Sequence, residues 1–348
     1  MSSPSIVVIG ASAGGVEAVT RVVRELPADF AAPVFVAMHF PLDSTSVLPR
    51  ILSRAGPLPA AHPRDGDPIL PSHVYVAPPD RHLIIHRRAI HLARGPRENG
   101  YRPAVDPMFR SAAVAYDGRA IGVILTGNLD DGTAGLLAIK RRGGTAIVQD
   151  PSEALFPSMP ASAIEHVRVD HVLRLDQIAS VLVEIVAEAA NAPSSNILPA
   201  EASDDAQLET AYDELDLRAV ENPEDHPGKP SQFGCPDCGG VLWEIHDGDL
   251  VRYRCRVGHA WSAEALRERQ AVELDAALWM ALRTLEESVS LTRRMADRAR
   301  QRGNDILAAK FERDARATGQ RARIIRDAIV VETETRRVPE KSAEGTTG

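Results

Sequence analysis

Short apolar runs alternate with helical spacing through the first half of the chain. Residues 6–9, 34–37, 120–125 and 145–149 are apolar stretches of strand length, while residues 16–25, 46–54 and 134–142 place apolar side chains three and four apart. Strands apolar on both faces, each followed by an amphipathic helix, build a mostly parallel sheet covered on both sides, so the pattern predicts a doubly wound α/β domain. Residues 73–77, 81–86 and 89–93 have β-type spacing and are separated by Pro78-Pro79-Asp80 and a basic turn, which predicts an antiparallel hairpin excursion. A last amphipathic stretch covers residues 177–190.

Beyond it the pattern changes. Residues 191–230 are rich in Pro, Ser and acidic groups and read as a flexible, self-repelling linker with a short helical pattern at 207–220. From Ser262 the spacing is helical again: Leu274, Leu278, Ala281, Leu285, Thr292, Met295 and Ala299 form a stripe suited to helix packing. Arg302-Gly303-Asn304-Asp305 offers a turn and a new cap, so an α-helical hairpin ending near Val331 is expected. The resulting organisation is a catalytic-type domain at 1–190, a linker at 191–230, a small module at 231–261, a helical hairpin at 262–335 and a disordered tail at 336–348.

Composition narrows the classes. At 348 residues the chain is long enough for two compact units plus linkers. A net charge of -8 and an aromatic content of 4% argue against a nucleic-acid partner, which needs concentrated Lys and Arg and stacking surfaces. No apolar run reaches membrane-spanning length, and Met1-Ser2-Ser3-Pro4-Ser5 lacks the basic start of a secretory signal. Only three cysteines occur, all between 235 and 255, so no disulfide framework is expected. A cytoplasmic protein without membrane insertion is the expectation.

Ser12 lies in Ile9-Gly10-Ala11-Ser12-Ala13-Gly14-Gly15, after a buried-type strand and before a helix. A tight strand-to-helix turn presents such a hydroxyl, and the backbone N–H of Ala13 at the helix start can donate to an oxyanion. The competing reading is a dinucleotide-binding turn. It lacks the second glycine of that fingerprint and the acidic residue that ends the second strand, where His39 stands instead. In a doubly wound sheet the carboxyl ends of neighbouring strands converge, so His39 can serve Ser12 as its base. Asp130 and Asp131, after the strand at 120–125, are both candidates for the carboxylate that orients the imidazole, or either caps the following helix.

These residues resemble the catalytic domain of the CheB-type protein-glutamate methylesterases. The matching blocks are Ile9 to Gly15, His39-Phe40-Pro41, Val74 to His82, Arg102-Pro103-Ala104-Val105-Asp106, and Gly122 to Gly127 with Asp131-Gly132, in the family's order over roughly residues 5–185. The resemblance implies a Ser12–His39–Asp131 triad, with backbone oxyanion donors at Ala13 and Asn128. It implies hydrolysis of γ-glutamyl methyl esters on a methylated chemoreceptor or similar helical signalling protein, with glutamine deamidation as a related activity. Asn128-Leu129 stands where the family usually has Met-Gly, which leaves a catalytically weak or idle scaffold, binding partners through its C-terminal module, as the alternative. The family usually carries a receiver domain ahead of the esterase. Here the nucleophile falls at position 12, so control by an attached receiver is not expected.

Cys235-Pro236-Asp237-Cys238 and Cys255-Arg256-Val257-Gly258-His259 flank a hairpin pattern containing Asp247-Gly248. Three thiolates and one imidazole at this spacing fit a closed, tetrahedral, structural zinc site, one Zn2+ per chain. Arg252, Arg254 and Arg256 are expected to form a solvated basic face, and Trp243, Tyr253 and Trp261 to pack the ribbon. The partner of the C-terminal helices is not legible.

Overall fold

The computed structural model describes residues 5–39, 46–191, 205–214 and 228–337. Phe40, Pro41, most of the 191–230 linker and the tail from 338 onward lie outside the described residues. The chain divides into two compact units, residues 1–266 and 267–348.

The first unit is built on seven parallel strands: β1 (Ile6–Ala11), β2 (Val34–Met38), β3 (Ala60–Ala61), β4 (Val74–Val76), β7 (Ala120–Ile124), β8 (Thr145–Gln149) and β9 (His171–Leu173), in the order β3-β4-β2-β1-β7-β8-β9. Alternation decides which face each side chain serves. Val7, Ile9 and Ala11 join the cluster covered by α1 (Gly15–Glu25), α2 (Leu48–Ala55) and α6 (Leu175–Asn191). Ile6 and Val8 join the one covered by α3 (Val105–Tyr116), α4 (Thr133–Arg141) and α5 (Ser158–His166). This is the doubly wound architecture that the apolar pattern predicts. The excursion is smaller than expected: β5 (His82–Ile85) and β6 (Ile90–Ala93) form the antiparallel hairpin, but β4, within residues 73–77, pairs in parallel with β2. All three residues of β4 are buried, as suits a strand covered on both faces.

A four-stranded antiparallel sheet follows within the same unit: β10 (Lys229–Gly234), β11 (Val241–Asp247), β12 (Leu250–Cys255) and β13 (Ala260–Ser262). Trp261, Tyr253, Leu242, Cys235 and Cys255 pack together as its small core, with Ala265 and Leu266. Two expectations are corrected here. The short helix expected at 207–220 is present as α7 (Asp205–Asp213), but its Glu209 and Asp213 are buried and not solvated, self-repelling acids. Arg252 and Arg254 are not a solvated face: Arg254 is 0% exposed, and of the three arginines only Arg256 is exposed.

The two departures have one cause. Glu98, Arg110, Glu209, Asp213, Asp247, Arg252 and Arg254 form a buried ion network joining three distant stretches of chain. Arg110 Nη2 lies 2.6 Å from Glu98 and 2.7 Å from Asp213. Arg252 grips both oxygens of Glu209 at 2.8 Å and also pairs with Asp247, and Arg254 reaches Glu98 at 2.5 Å and Glu209 at 2.8 Å. Burial pushes the Asp213 carboxyl up to about 8, so it keeps its proton at neutral pH. Burial alone would raise Glu98 as well, but Arg110 and Arg254 hold it down to about 2, and the arginines hold Glu209 well below its ordinary value. Three guanidinium charges therefore meet three carboxylates, Glu98, Glu209 and Asp247, and the interior is close to neutral.

In the second unit α8 (Ala263–Gln301, its first turn in the first unit) and α9 (Asp305–Arg337) are joined by a turn with Gly303 at φ 73. The N–H of Asn304 bonds the Ala299 carbonyl, and the Asn304 side chain accepts the Leu307 N–H at 3.0 Å, capping α9. Leu282, Ala322 and Ile329 form the seam with Leu278, Leu285 and Ile325. Ala308, Ala315, Ala322 and Ile329 recur every seven residues, the period of coiled-coil packing. The stripe read from the sequence runs one position off in places: Leu282 and Ala296 are buried, while Leu274 and Met295 are exposed, because the seam follows a 3.5-residue and not a 3.6-residue repeat.

Replacing Glu209 by Gln leaves Arg252 and Arg254 short of their shared countercharge. We expect Glu209→Gln to lower stability by about 3 kcal/mol, read from urea unfolding followed by tryptophan fluorescence.

Candidate active site and metal-binding cluster

Strand β1 lies between β2 and β7, and all three run the same way, with Ala11 opposite Met38 and Gly10 opposite Ile124. The residues that follow them emerge at one edge. Ser12 leaves β1 in a turn completed by Gly14 at φ 74, a left-handed conformation that glycine adopts without strain. The turn is clamped: the Ser12 N–H bonds the Thr126 carbonyl at 3.0 Å, and the Thr126 hydroxyl donates to the Ala13 carbonyl at 3.1 Å. Gly127 must lack a side chain, since a Cβ there would stand 2.0 Å from the Met159 sulfur and 2.9 Å from Ser12 Cβ.

Ser12, His39 and Asp131 are brought together. Ser12 Oγ lies 3.0 Å from His39 Nδ1, and His39 Nε2 lies 2.6 Å from Asp131 Oδ2. With Nε2 protonated and donating to Asp131, Nδ1 presents a lone pair to the serine hydroxyl. The Tyr101 ring stacks on the imidazole at 3.8 Å and 2°, fixing its plane. Asp131 sits at the N-terminus of α3, where Val105 N–H donates to Oδ2 at 2.7 Å and Asp106 N–H to Oδ1 at 3.3 Å. Burial opposes ionisation of Asp131, yet the hydrogen bond and charge of His39 and the Val105 N–H prevail and hold its carboxyl below the ordinary value. Neighbouring Asp106 goes the other way: burial and the charges of Asp131 and Glu98 push it well above its ordinary value.

Of the two aspartates weighed in the sequence, Asp130 does not face His39. It accepts the Ser262 hydroxyl at 2.7 Å, and burial, with the nearby Glu264 carboxyl, pushes it up to about 7. Among the described residues, no main-chain acceptor takes the N–H of Ala13 or of Asn128, the two sequence-derived oxyanion donors. Sequence reasoning gave no role to Tyr101, Asn99 or Ser262. The amides of Val105 and Asp106 were visible only as part of the block Arg102 to Asp106 that carries the family resemblance, since a main-chain donor leaves no side-chain signature.

Cys235, Cys238, Cys255 and His259 bring their ligand atoms within 4.8 Å of one another and can hold a metal ion. Each knuckle is shaped by its backbone: the Cys235 N–H bonds the Gly240 carbonyl at 2.7 Å, and the Cys255 N–H bonds the His259 carbonyl at 2.9 Å. A hydrogen bond from Cys255 lowers the Cys235 thiol, the direction that favours the ligating thiolate. Three sulfurs and one imidazole converging on one point fit a tetrahedral thiophilic cation, and four protein ligands leave no open position.

A hydroxyl, an imidazole and a buried carboxylate stand in hydrogen-bonded sequence at the carboxyl edge of a parallel sheet, an arrangement in which the imidazole can take the hydroxyl's proton. The chain belongs to the CheB methylesterase family, whose model matches residues 7–182. A Leptospira interrogans protein named for protein-glutamate methylesterase and protein-glutamine glutaminase is 39% identical over 180 residues, 51% of this chain and 93% of that protein. The Caulobacter vibrioides protein-glutamate methylesterase/protein-glutamine glutaminase 2 is 38% identical over 177 residues, and this chain spans only 51% of its length. The Thermotoga maritima CheB methylesterase catalytic domain superposes with a TM-score of 0.51 at 36% identity, covering 53% of this chain and 99% of that domain. Among the described residues no helix is long and apolar enough to cross a membrane.

Asp130 supplies a pH test. Its ordinary value is 3.8 and its folded value about 7, so between these limits the folded chain keeps a proton that the unfolded chain has lost. Its contribution is fully present below about pH 4 and declines as pH rises through 7. We expect Asp130→Asn to flatten that decline, with Tm exceeding that of the unmodified chain most clearly above pH 7 in thermal melts from pH 5 to 8.

Proposed function

We propose that the chain hydrolyses γ-glutamyl methyl esters on a methylated chemoreceptor or a similar helical signalling protein. Ser12 is the nucleophile, His39 the general base and Asp131 the residue that orients and charges the imidazole. The observation that carries this reading is the unbroken hydrogen-bonded chain from Ser12 Oγ through His39 to Asp131.

The steps follow from that geometry. Ser12 Oγ attacks the ester carbonyl as its proton passes to His39 Nδ1, and the growing imidazolium is stabilised by Asp131. Negative charge on the carbonyl oxygen is met by backbone N–H groups at Ala13 and Asn128. His39 returns the proton to the departing methoxide, releasing methanol and leaving a γ-glutamyl ester on Ser12. Water, deprotonated by His39, then attacks that ester and frees glutamate and Ser12. A glutamine side chain passes through the same acyl-enzyme with ammonia as leaving group. The assembled triad favours this over an idle scaffold, because a surface that only binds needs no imidazole held between hydroxyl and carboxylate.

The Cys235, Cys238, Cys255 and His259 group takes a structural zinc ion in this reading, within a cytoplasm that keeps the three free cysteines reduced. With only a small apolar core of its own, the antiparallel sheet gains folding free energy from the metal. The helical hairpin of the second unit is read as a recruiting element.

Ser12→Ala should reduce methanol release from methylated receptor helices by about 10³-fold or more while leaving the melting temperature within about 2 °C. Methanol release at the unmodified rate would reject the serine mechanism. The purified chain should hold about one zinc ion, and its removal by a chelator should lower the melting temperature. Metal content well below one per chain would reject the metal assignment.

A further inference from the structure

The turn that carries Asp131 is engaged from outside the parallel sheet at three consecutive residues. Leu129 stands at φ 59, a left-handed conformation that costs a bulky side chain free energy, and its side chain packs against the small core of the antiparallel sheet. Asp130 accepts the hydroxyl of Ser262 at 2.7 Å. Asp131 is reached through Asn99, whose Nδ2 lies 3.4 Å from Asp131 Oδ1 while its Oδ1 accepts the Ser262 N–H at 2.8 Å. Asn99 is itself held by main chain from β13: its N–H donates to the Ala260 carbonyl at 2.8 Å, and the Ala260 N–H donates to the Arg97 carbonyl at 3.1 Å. Its φ of 52 is one that asparagine tolerates better than most residues.

We propose that Asn99 is a positioning residue for the carboxylate of Asp131, set in place by strand β13, so that the cysteine–histidine module forms part of the esterase site. The proposal rests on the assignment of Ser12, His39 and Asp131 given above. The carboxylate takes donors from His39, Val105 and Asp106, and the Asn99 amide is the one whose placement depends on the module. An uncharged donor suits this position. The charged and titratable groups facing Asp131 are His39, His82, Glu98, Asp106 and Asp130, and three of these five are acids.

The test uses Asn99→Gly and Asn99→Asp in the full chain, with Ser12→Ala in parallel, measuring methanol release from pH 5 to 9, thermal melting and amide hydrogen exchange. Asn99→Gly keeps the left-handed backbone but removes both side-chain bonds. We expect kcat to fall about tenfold with KM within about twofold and melting little changed, and the Ser262 amide to exchange faster. Asn99→Asp keeps an acceptor for Ser262 and turns an oxygen toward Asp131. The added negative charge holds the proton more tightly on the His39–Asp131 couple, so the acid limb of kcat/KM should move up by about one pH unit. A merely structural role would lower activity with melting and leave that limb unmoved. Normal kcat and an unmoved limb in both variants, beside an inactive Ser12→Ala, would overturn the positioning role alone. A fully active Ser12→Ala would overturn it together with the esterase assignment.

Discussion

The parallel register of three adjacent strands is the constraint on which the site depends. Because β2, β1 and β7 run in one direction and end within a residue or two of one another, side chains 27 and 92 residues apart in sequence arrive at the same rim. An antiparallel neighbour would carry His39 or Asp131 to the opposite edge. A register slip of one residue would turn each of them to the wrong face. The apolar burial of these strands, complete along β1, β2 and β7, holds that register and therefore the proton path.

Around this rim the protein manages charge by pairing it or neutralising it. Asp131 is stabilised as an anion by the first-turn amides of α3 and by His39, whereas the Asp106 carboxyl, in that same first turn, is pushed well above its ordinary value by burial and by the charges of Asp131 and Glu98. The same economy governs the interior beside it, where three arginines meet three ionised carboxylates and Asp213 stays neutral. Two carboxyl groups of identical chemistry are thus shifted in opposite directions, Asp131 downward by its hydrogen bonds and by the charge of His39, Asp106 upward by burial and the anions beside it.

Much of this was legible in the sequence. Continuous apolar runs of strand length fixed the sheet, and the short spacing of Cys235, Cys238, Cys255 and His259 foretold their convergence. The choice of Asp131 over Asp130 came from resemblance and not from local pattern, since both follow the same strand. The burial of the α7 acids and of the basic residues was missed for one reason: acidic and basic residues in a string look solvated unless their partners are known. Glu209 and Arg252 are separated by 43 residues, a distance over which charge complementarity leaves no periodic trace. The helical seam was displaced because a 3.5-residue repeat drifts off a 3.6-residue template over a long helix, so that Leu282 and Ala296, not Ala281 and Met295, turn inward.

The ion network also means that ancestry and folding draw different borders on this chain. Family likeness ends near residue 182, yet Glu98 and Arg110 inside that span find countercharges at Arg254 and Glu209 beyond it. A fragment cut at the likeness border would strip Glu98 and Arg110 of these partners and leave their charges short of compensation. The segment beyond residue 182, as far as 266, is thus a wall of the same compact unit, and the smallest self-sufficient piece of this chain is longer than its family likeness.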